Sequence, residues 1–319
     1  MRSKTRRLSV SRIRVVVLGV VVGLLVGGGI AQADFTFGKP EPVEAVRKLS
    51  QDSFKGMCFS HDGLRLYFSA NPAGGYGRLD IWIIERESPD APWGEAVNLG
   101  PNVNSADREG WVGISSDELE IYFHRNDVSM RSIRASKDDP WGPATEFTEL
   151  GDAWALDFAH DGLTVYLDAV RSDGYGASDI WMATRETLDA PWGEPVNLGP
   201  SVNDSGDQYD PSISSDGLAL FSQKGSRAYL CLRTTTESDW GQAVPLNTAL
   251  NVSYWTIFPD ISPDGSTLYL HHPGGPSQVS IKPIVDFNGD KIINLVDLAM
   301  LIDNWRTNRT PCDIGPGVP

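Results

Sequence analysis

Three cysteines in 319 residues, Cys58, Cys231 and Cys312, are too few for a disulfide framework. Cys58 and Cys231 fall in expected strands, where a thiol serves as a small apolar filler rather than a nucleophile. Positive charge is also short, with 27 Lys and Arg against 42 Asp and Glu. Six of the basic residues (Arg2, Lys4, Arg6, Arg7, Arg12 and Arg14) precede the first acidic one. Removal of residues 1–33 therefore leaves 21 basic against 42 acidic residues, a net charge of −21. A surface of that sign repels phosphate backbones and anionic lipid, which argues against nucleic-acid and membrane-surface partners. There is no Gly-x-Ser-x-Gly nucleophile elbow and no His-rich metal cluster. The repeated units described below carry no helical periodicity.

One long apolar run is present, Val15 to Ile30, between the basic head and Ala31-Gln32-Ala33. That layout is the three-part pattern of a secretory signal peptide, with residues 1–33 as the leader and cleavage expected after Ala33. The alternative is an uncleaved anchor. Sixteen residues, five of them glycine, are short of the about 20 that a span needs. Export to the periplasm or the extracellular space of a bacterium, without stable membrane insertion after cleavage, is the expectation.

What the chain has in abundance is self-similarity. Pro92-Trp93-Gly94-Glu95-Ala96-Val97-Asn98-Leu99-Gly100 returns ninety-nine residues later as Pro191-Trp192-Gly193-Glu194-Pro195-Val196-Asn197-Leu198-Gly199. Weaker copies start at Trp141-Gly142 and Trp240-Gly241, so the basic period is about 50 residues, the signature of a propeller or solenoid. Between the copies come turns at Asp62-Gly63, Asp117-Glu118, Asp161-Gly162, Asp216-Gly217 and Asp264-Gly265. Asp-Gly between apolar runs is a strong hairpin signal, since Gly accepts positive φ and Asp bonds back to the turn. Alternating strands follow, such as Leu64 to Phe68 and Thr267 to Leu270, and a third strand ends units one and three at Asp80 to Ile83 and Asp179 to Met182. Four short strands per repeat predict an all-β fold, a five-bladed β-propeller over residues 35–285. The fifth repeat lacks its own Trp-Gly strand, so the N-terminal segment Phe37 to Val46 is expected to complete that blade and close the ring, leaving no open edge.

These segments resemble the WD40-like propeller repeats of TolB-type proteins, with their Ser-Pro-Asp-Gly turn and Gly-Tyr-Gly insert. The insert is matched at Gly74 to Trp82 and Gly174 to Trp181. Glu118 departs from the pattern, standing where it asks for Gly. Blades two and four lack the insert, which gives the 99-residue super-period. The recurrent Trp82, Trp93, Trp141, Trp181, Trp192 and Trp240 are expected in the core between blades. His61 and His160 occupy equivalent turn positions.

Five-bladed propellers also include glycoside hydrolases with funnel carboxylates. Counting back four from each turn Asp gives Cys58, Gly113, Asp157, Ser212 and Asp260, and counting back six gives Gly56, Trp111, Ala155, Asp210 and Phe258. Asp157, Asp210 and Asp260 come from adjacent blades and could converge as the acid and base of glycoside hydrolysis, with Trp111 stacking on a sugar ring. The other reading is that these aspartates bond neighbouring backbone.

At the C-terminus, Asp286, Asn288, Asp290, Asn294 and Asp297 place oxygens at loop positions 1, 3, 5, 9 and 12, with the Ile292 carbonyl at position 7. A Ca²⁺ ion needs six to eight oxygens, which this spacing supplies. Leu295, Leu298, Ile302 and Trp305 then share one helical face. Loop plus helix, residues 286–319, resembles half of a type I dockerin, which implies calcium and a cohesin-like partner. Lys291 stands where Gly normally turns, and no second loop follows. The functional expectation is an exported, non-enzymatic binding or scaffold propeller that presents a loop face to protein or polysaccharide, tethered through the calcium segment. The alternative is a glycan-active hydrolase using Asp157, Asp210 and Asp260.

Overall fold

The computed structural model describes residues 35–49, 54–247, 249–250 and 255–283. The leader 1–33 and the calcium residues Asp286, Asn288, Asp290, Ile292, Asn294 and Asp297 lie outside them, as does Cys312. The described chain folds into five antiparallel sheets, each starting on an inner strand: Phe54–Phe59, Glu109–Ile114, Ala153–Phe158, Gln208–Ile213 and Ile257–Ile261. We number the sheets as blades 1 to 5 in that order. Each inner strand touches its two neighbours, and blade 5 touches blade 1, so the ring closes around a central channel.

The fifth blade is completed from the other end of the chain. Phe35–Phe37 and Glu41–Pro42 both pair antiparallel with Gly275–Pro283, the third strand of blade 5. The expected single strand over Phe37 to Val46 is interrupted, however, because Glu44–Arg47 form one helical turn. Val43 and Val46 on that turn are buried, packing with Phe54 and Phe258 between blades 1 and 5, while Arg47 pairs with Glu44 on the solvent side at 2.9 Å. Burial of two valines on one face favours a turn of helix over an extended segment that would point one of them outward.

Two kinds of connection explain the 99-residue super-period. In blades 2 and 4 the second and third strands meet in tight hairpins, with Asn126 and Asp127 at φ 45° and 71° and Gly225 at 56°. Positive φ suits the twist of such two-residue turns. Blades 1 and 3 carry the Gly-Tyr-Gly insert instead. There Asp80 accepts hydrogen bonds from the Tyr76 and Gly77 N–H groups and from Asn98 Nδ2, and Asp179 does the same for Tyr175, Gly176 and Asn197. A Cβ on Gly77 or Gly176 would stand 2.2 or 2.0 Å from the Asp107 or Gly206 carbonyl oxygen of the next blade, so only glycine fits.

A second repeated device holds each blade to its own turn. Arg86, Arg134, Arg185 and Arg233 stack on the tryptophan seven residues on (Trp93, Trp141, Trp192 and Trp240), at 4.3–4.4 Å from the ring centre. Each Nε donates to the carbonyl at the hairpin glycine position, of Gly63, Glu118, Gly162 and Gly217, at 2.7–2.8 Å. Glu118 adopts φ 60° there despite its side chain, which is fully buried against Arg65 at 3.0 Å and Lys137 at 2.6 Å. Ion pairing thus holds a left-handed turn that the repeat otherwise gives to glycine. Trp82, Trp141, Trp181, Trp192 and Trp240 are buried in the clusters between blades, with Trp93 packed beside one of them. Cys58 and Cys231 are buried free thiols.

Candidate functional site

Inner strands that all point at one axis bring unlike residues together, and the five here do so in two tiers. The lower tier is Cys58, Gly113, Asp157, Ser212 and Asp260. Its side chains clasp one blade to the next. The Ile213 N–H donates to Asp157 Oδ2 at 2.6 Å, and the Ile261 N–H donates to Ser212 Oγ at 3.0 Å, which itself donates to Asp260 Oδ1 at 3.0 Å. The Phe59 N–H faces Asp260 and the Ile114 N–H faces the Cys58 thiol, which continues the pattern around the ring. Gly113 breaks it: a Cβ there would sit 2.3 Å from the Leu156 carbonyl oxygen, so blades 2 and 3 meet through backbone. The channel holds a cavity of about 30 Å³ that spans both tiers, lined by Cys58, Asp157 and Asp260 from the lower and by Trp111, Asp210 and Phe258 from the upper. That volume admits about two waters.

Three carboxyl groups line this channel, and a fourth, Asp168, lies behind them on the second strand of blade 3. Desolvation raises Asp157 to about 7 and Asp168 to about 7, and it raises Asp210 and Asp260 well above the usual carboxylate range. They sit as two pairs, Asp157 beside Asp260 and Asp168 beside Asp210, in which each member disfavours the charge of the other. Asp168 accepts the N–H groups of Ala155 and Asp210, both at 3.2 Å. The three sequence candidates line one cavity. Asp157 and Asp260 belong to the lower tier, and Asp210 belongs to the upper.

The upper tier is where the channel opens. Trp111, Asp210 and Phe258 occupy bulges of their inner strands at φ 50–53°, with Gly56 at 90° in blade 1. The bulge re-aims each side chain toward the mouth. On one side Trp111 meets Trp154 edge to face at 5.2 Å, and His124 stacks on Trp154 at 4.7 Å. On the other, Phe54 stacks on His271 at 5.1 Å, with Trp255 5.2 Å from His271 and Phe258 5.9 Å from Phe54. Trp111, Trp154, Trp255 and His271 remain half-buried. Burial keeps both histidines neutral near pH 7: His124 is lowered, and His271 is lowered to about 4 with help from His272 and Lys55. Lys55 and Asp210 belong to the same tier, and the Lys55 ammonium lies 5.5 Å from the Trp111 ring centre.

Trp111 and Asp210 are thus at the mouth, as positions six back from the turn. Trp154, Lys55, His124 and His271 were not singled out by that count. Lys55 and Trp154 lie one residue earlier, seven back from the turn, while His124 and His271 pair across from Gly110 and Ile257 at the same level. At the opposite end, His61 and His160 do more than mark the repeat: their rings meet across the floor of the channel at 5.4 Å.

A ring of four four-stranded sheets and one five-stranded sheet, the last completed by strands that precede blade 1, defines the class of this protein as a five-bladed β-propeller. The chain matches no protein-family model and no curated protein. Among solved structures it is similar to TolB from Acinetobacter baumannii, at 12% identity over 73% of this chain and 55% of that one, with a TM-score of 0.44. It is similar also to a gluconolactonase from Xanthomonas campestris (12% identity, 72% of each chain, TM-score 0.43). The β-propeller domain of Myceliophthora thermophila Cps50 (Swd1) is a third such structure (9% identity, 72% of this chain and 83% of that one, TM-score 0.39). The chain spans about half the length of the Acinetobacter protein. Among the described residues no helix is long and apolar enough to cross a membrane.

Proposed function

We propose that this chain is a binding propeller whose aromatic-walled mouth takes a saccharide. The observation that carries this is the presence of two half-buried aromatic pairs, Trp111–Trp154 and Trp255–His271, at the same end of the inner strands. Flat rings with polar groups beside them suit a ligand that has apolar ring faces and hydroxyl edges. A protein partner fits less well. The large apolar residues exposed elsewhere, such as Tyr76, Val97, Ile133, Val196 and Val244, are scattered over blades 1 to 4 and form no single hydrophobic centre.

The hydrolase reading draws support from the raised pKa values of Asp157 and Asp260. Against it stand the hydrogen bonds that commit both groups to neighbouring blades. Export through residues 1–33 and calcium-dependent tethering through residues 286–319 complete the proposal, with cohesin-like capture as the partner that the tether implies.

The test is retention and reducing-end release measured together on a panel of plant and algal polysaccharides. Retention without release, weakened about tenfold or more in Trp111→Ala, is the expected result. Release that disappears in Asp157→Ala would replace the binding reading with the hydrolase.

A further inference from the structure

At the end of the ring opposite the mouth, the residue before each turn aspartate is His61, Ser116, His160, Ser215 or Pro263, in blade order. In blades 2, 4 and 5 that residue rests on the turn of the next blade. Ser116 Oγ fills the space that a Cβ on Gly162 would need, and Ser215 Oγ donates to the Pro263 carbonyl at 2.7 Å. Pro263 Cδ lies 3.7 Å from where a Cβ on Gly63 would stand. His61 and His160 depart from this order. They belong to blades 1 and 3, which are not neighbours in the ring, yet their rings meet at 5.4 Å with planes 79° apart. Both are half-buried, and among the described residues none of their ring nitrogens makes a hydrogen bond. Each neutral imidazole therefore keeps a nitrogen lone pair with no protein donor.

We infer that His61 and His160 together chelate a divalent transition cation, such as Zn²⁺ or Cu²⁺, at the floor of the channel. Imidazole is a preferred ligand of both ions. An imidazole nitrogen lies about 1.1 Å from its ring centre, so a zinc bound at about 2.1 Å stands about 3.2 Å from each centre. Two centres 5.4 Å apart then subtend about 115° at the metal, close to the tetrahedral angle. Turning a ring about its Cβ–Cγ bond leaves its centre nearly in place and changes the edge it presents, and that torsion is a soft one. Asp62 and Asp117 place negative charge beside His61, while the ammonium of nearby Lys137 is bonded to Glu118 at 2.6 Å. Burial, with His160 beside it, lowers His61 to about 4, so the ring already has its metal-binding form at neutral pH. Among the described residues no three His, Cys, Asp or Glu side chains form a metal-binding group. The protein thus supplies two ligands and water the others, a more open site than the three- and four-ligand zinc sites. The ion ties the turn of blade 1 to that of blade 3, independently of the saccharide mouth and of the calcium segment.

Equilibrium dialysis of the purified protein against zinc chloride, in buffer containing calcium, tests this. One Zn²⁺ per chain is expected to depend on the pair. His61→Ala and His160→Ala should each weaken its binding about tenfold or more, and the double variant should be no worse than either, because a lone imidazole cannot chelate. The electron paramagnetic resonance spectrum of the copper-loaded parent should show two nitrogen ligands, and either single variant should lose one. Without metal, parent and variants should melt at the same temperature, and zinc should raise the midpoint of the parent alone. His61→Asn, smaller and still polar, repeats the comparison if alanine disturbs the turn. Zinc affinity unchanged in the double variant places the ion elsewhere, the acidic C-terminal segment included, and overturns the assignment. No bound zinc, or a copper spectrum with fewer than two nitrogens in the parent, overturns it as well.

Discussion

Glu118 shows how one residue can contravene its repeat and be held by its surroundings. Four blades put glycine in the left-handed turn position, and a non-glycine residue there costs about 1–2 kcal/mol. Glu118 meets that cost with a fully buried carboxylate shared by Arg65 and Lys137, with Arg134 Nη2 at 3.8 Å. Removing one member of a fully buried ion pair costs about 3–5 kcal/mol, but here Lys137 and Arg65 keep access to water and only Arg134 is left desolvated. Glu118→Gly should therefore destabilise by about 1 kcal/mol net, even though it restores the turn residue. Urea unfolding with an unchanged m-value reads this directly. A Glu118→Gly protein as stable as the parent would mean that backbone strain, not ion pairing, dominates this turn.

At the level of the blade, the recurring strut is an arginine lying flat on a tryptophan while its Nε reaches the hairpin carbonyl. Lysine has no planar face to stack and no rigid fork of donors, so the exchange is not conservative. Arg185→Lys should lose the stack on Trp192 and the bond to the Gly162 carbonyl, at a cost of about 1–2 kcal/mol. Arg233→Lys in blade 4 should lose about the same, since Trp240 and Gly217 repeat the geometry. A neutral result in both blades would show that the tryptophans pack equally well without it. The tryptophan of this strut stands out in the sequence because it is rare and recurs at a near-fixed spacing. The arginine does not, because arginine is common and its spacing of seven suggests nothing in a β protein. The same contrast runs through the whole chain. Blade number, hairpins and ring closure are legible because each blade repeats them. The mouth is not repeated: Lys55, Trp111, Trp154, Asp210 and His271 come from five blades and from different positions, and only the register of the bulged strands places them together. The helical turn at Glu44–Arg47 is hidden for a related reason, since only its packing against blades 1 and 5 selects it.

For the whole molecule, the acidic axis sets how stability responds to pH. A carboxyl whose folded pKa is raised keeps a proton that the unfolded chain gives up near pH 3.9. Its contribution is complete below about pH 4 and is lost as pH rises through the folded value, about 7 for both Asp157 and Asp168. Asp210 and Asp260 act in the same direction. The turn carboxylates Asp62 and Asp264, lowered by the hydrogen bonds of their turns and by nearby cations, act in the opposite direction, as does Asp204 beside Lys224. The slope of the parent protein is therefore a sum of opposed groups, and a difference between two proteins isolates one of them. Asp157→Asn retains an oxygen for the Ile213 N–H and removes the titrating proton, together with its repulsion of Asp260. Between pH 5 and pH 7 the variant should gain on the parent by up to about 1.4 kcal/mol for each pH unit, the value for one proton. The two stability curves should run parallel above about pH 8, where Asp157 is ionised in both states of the parent. Curves parallel across the whole range would mean that Asp157 is charged in the folded ring, and that the channel is wet and polar enough at its lower tier to hold that charge.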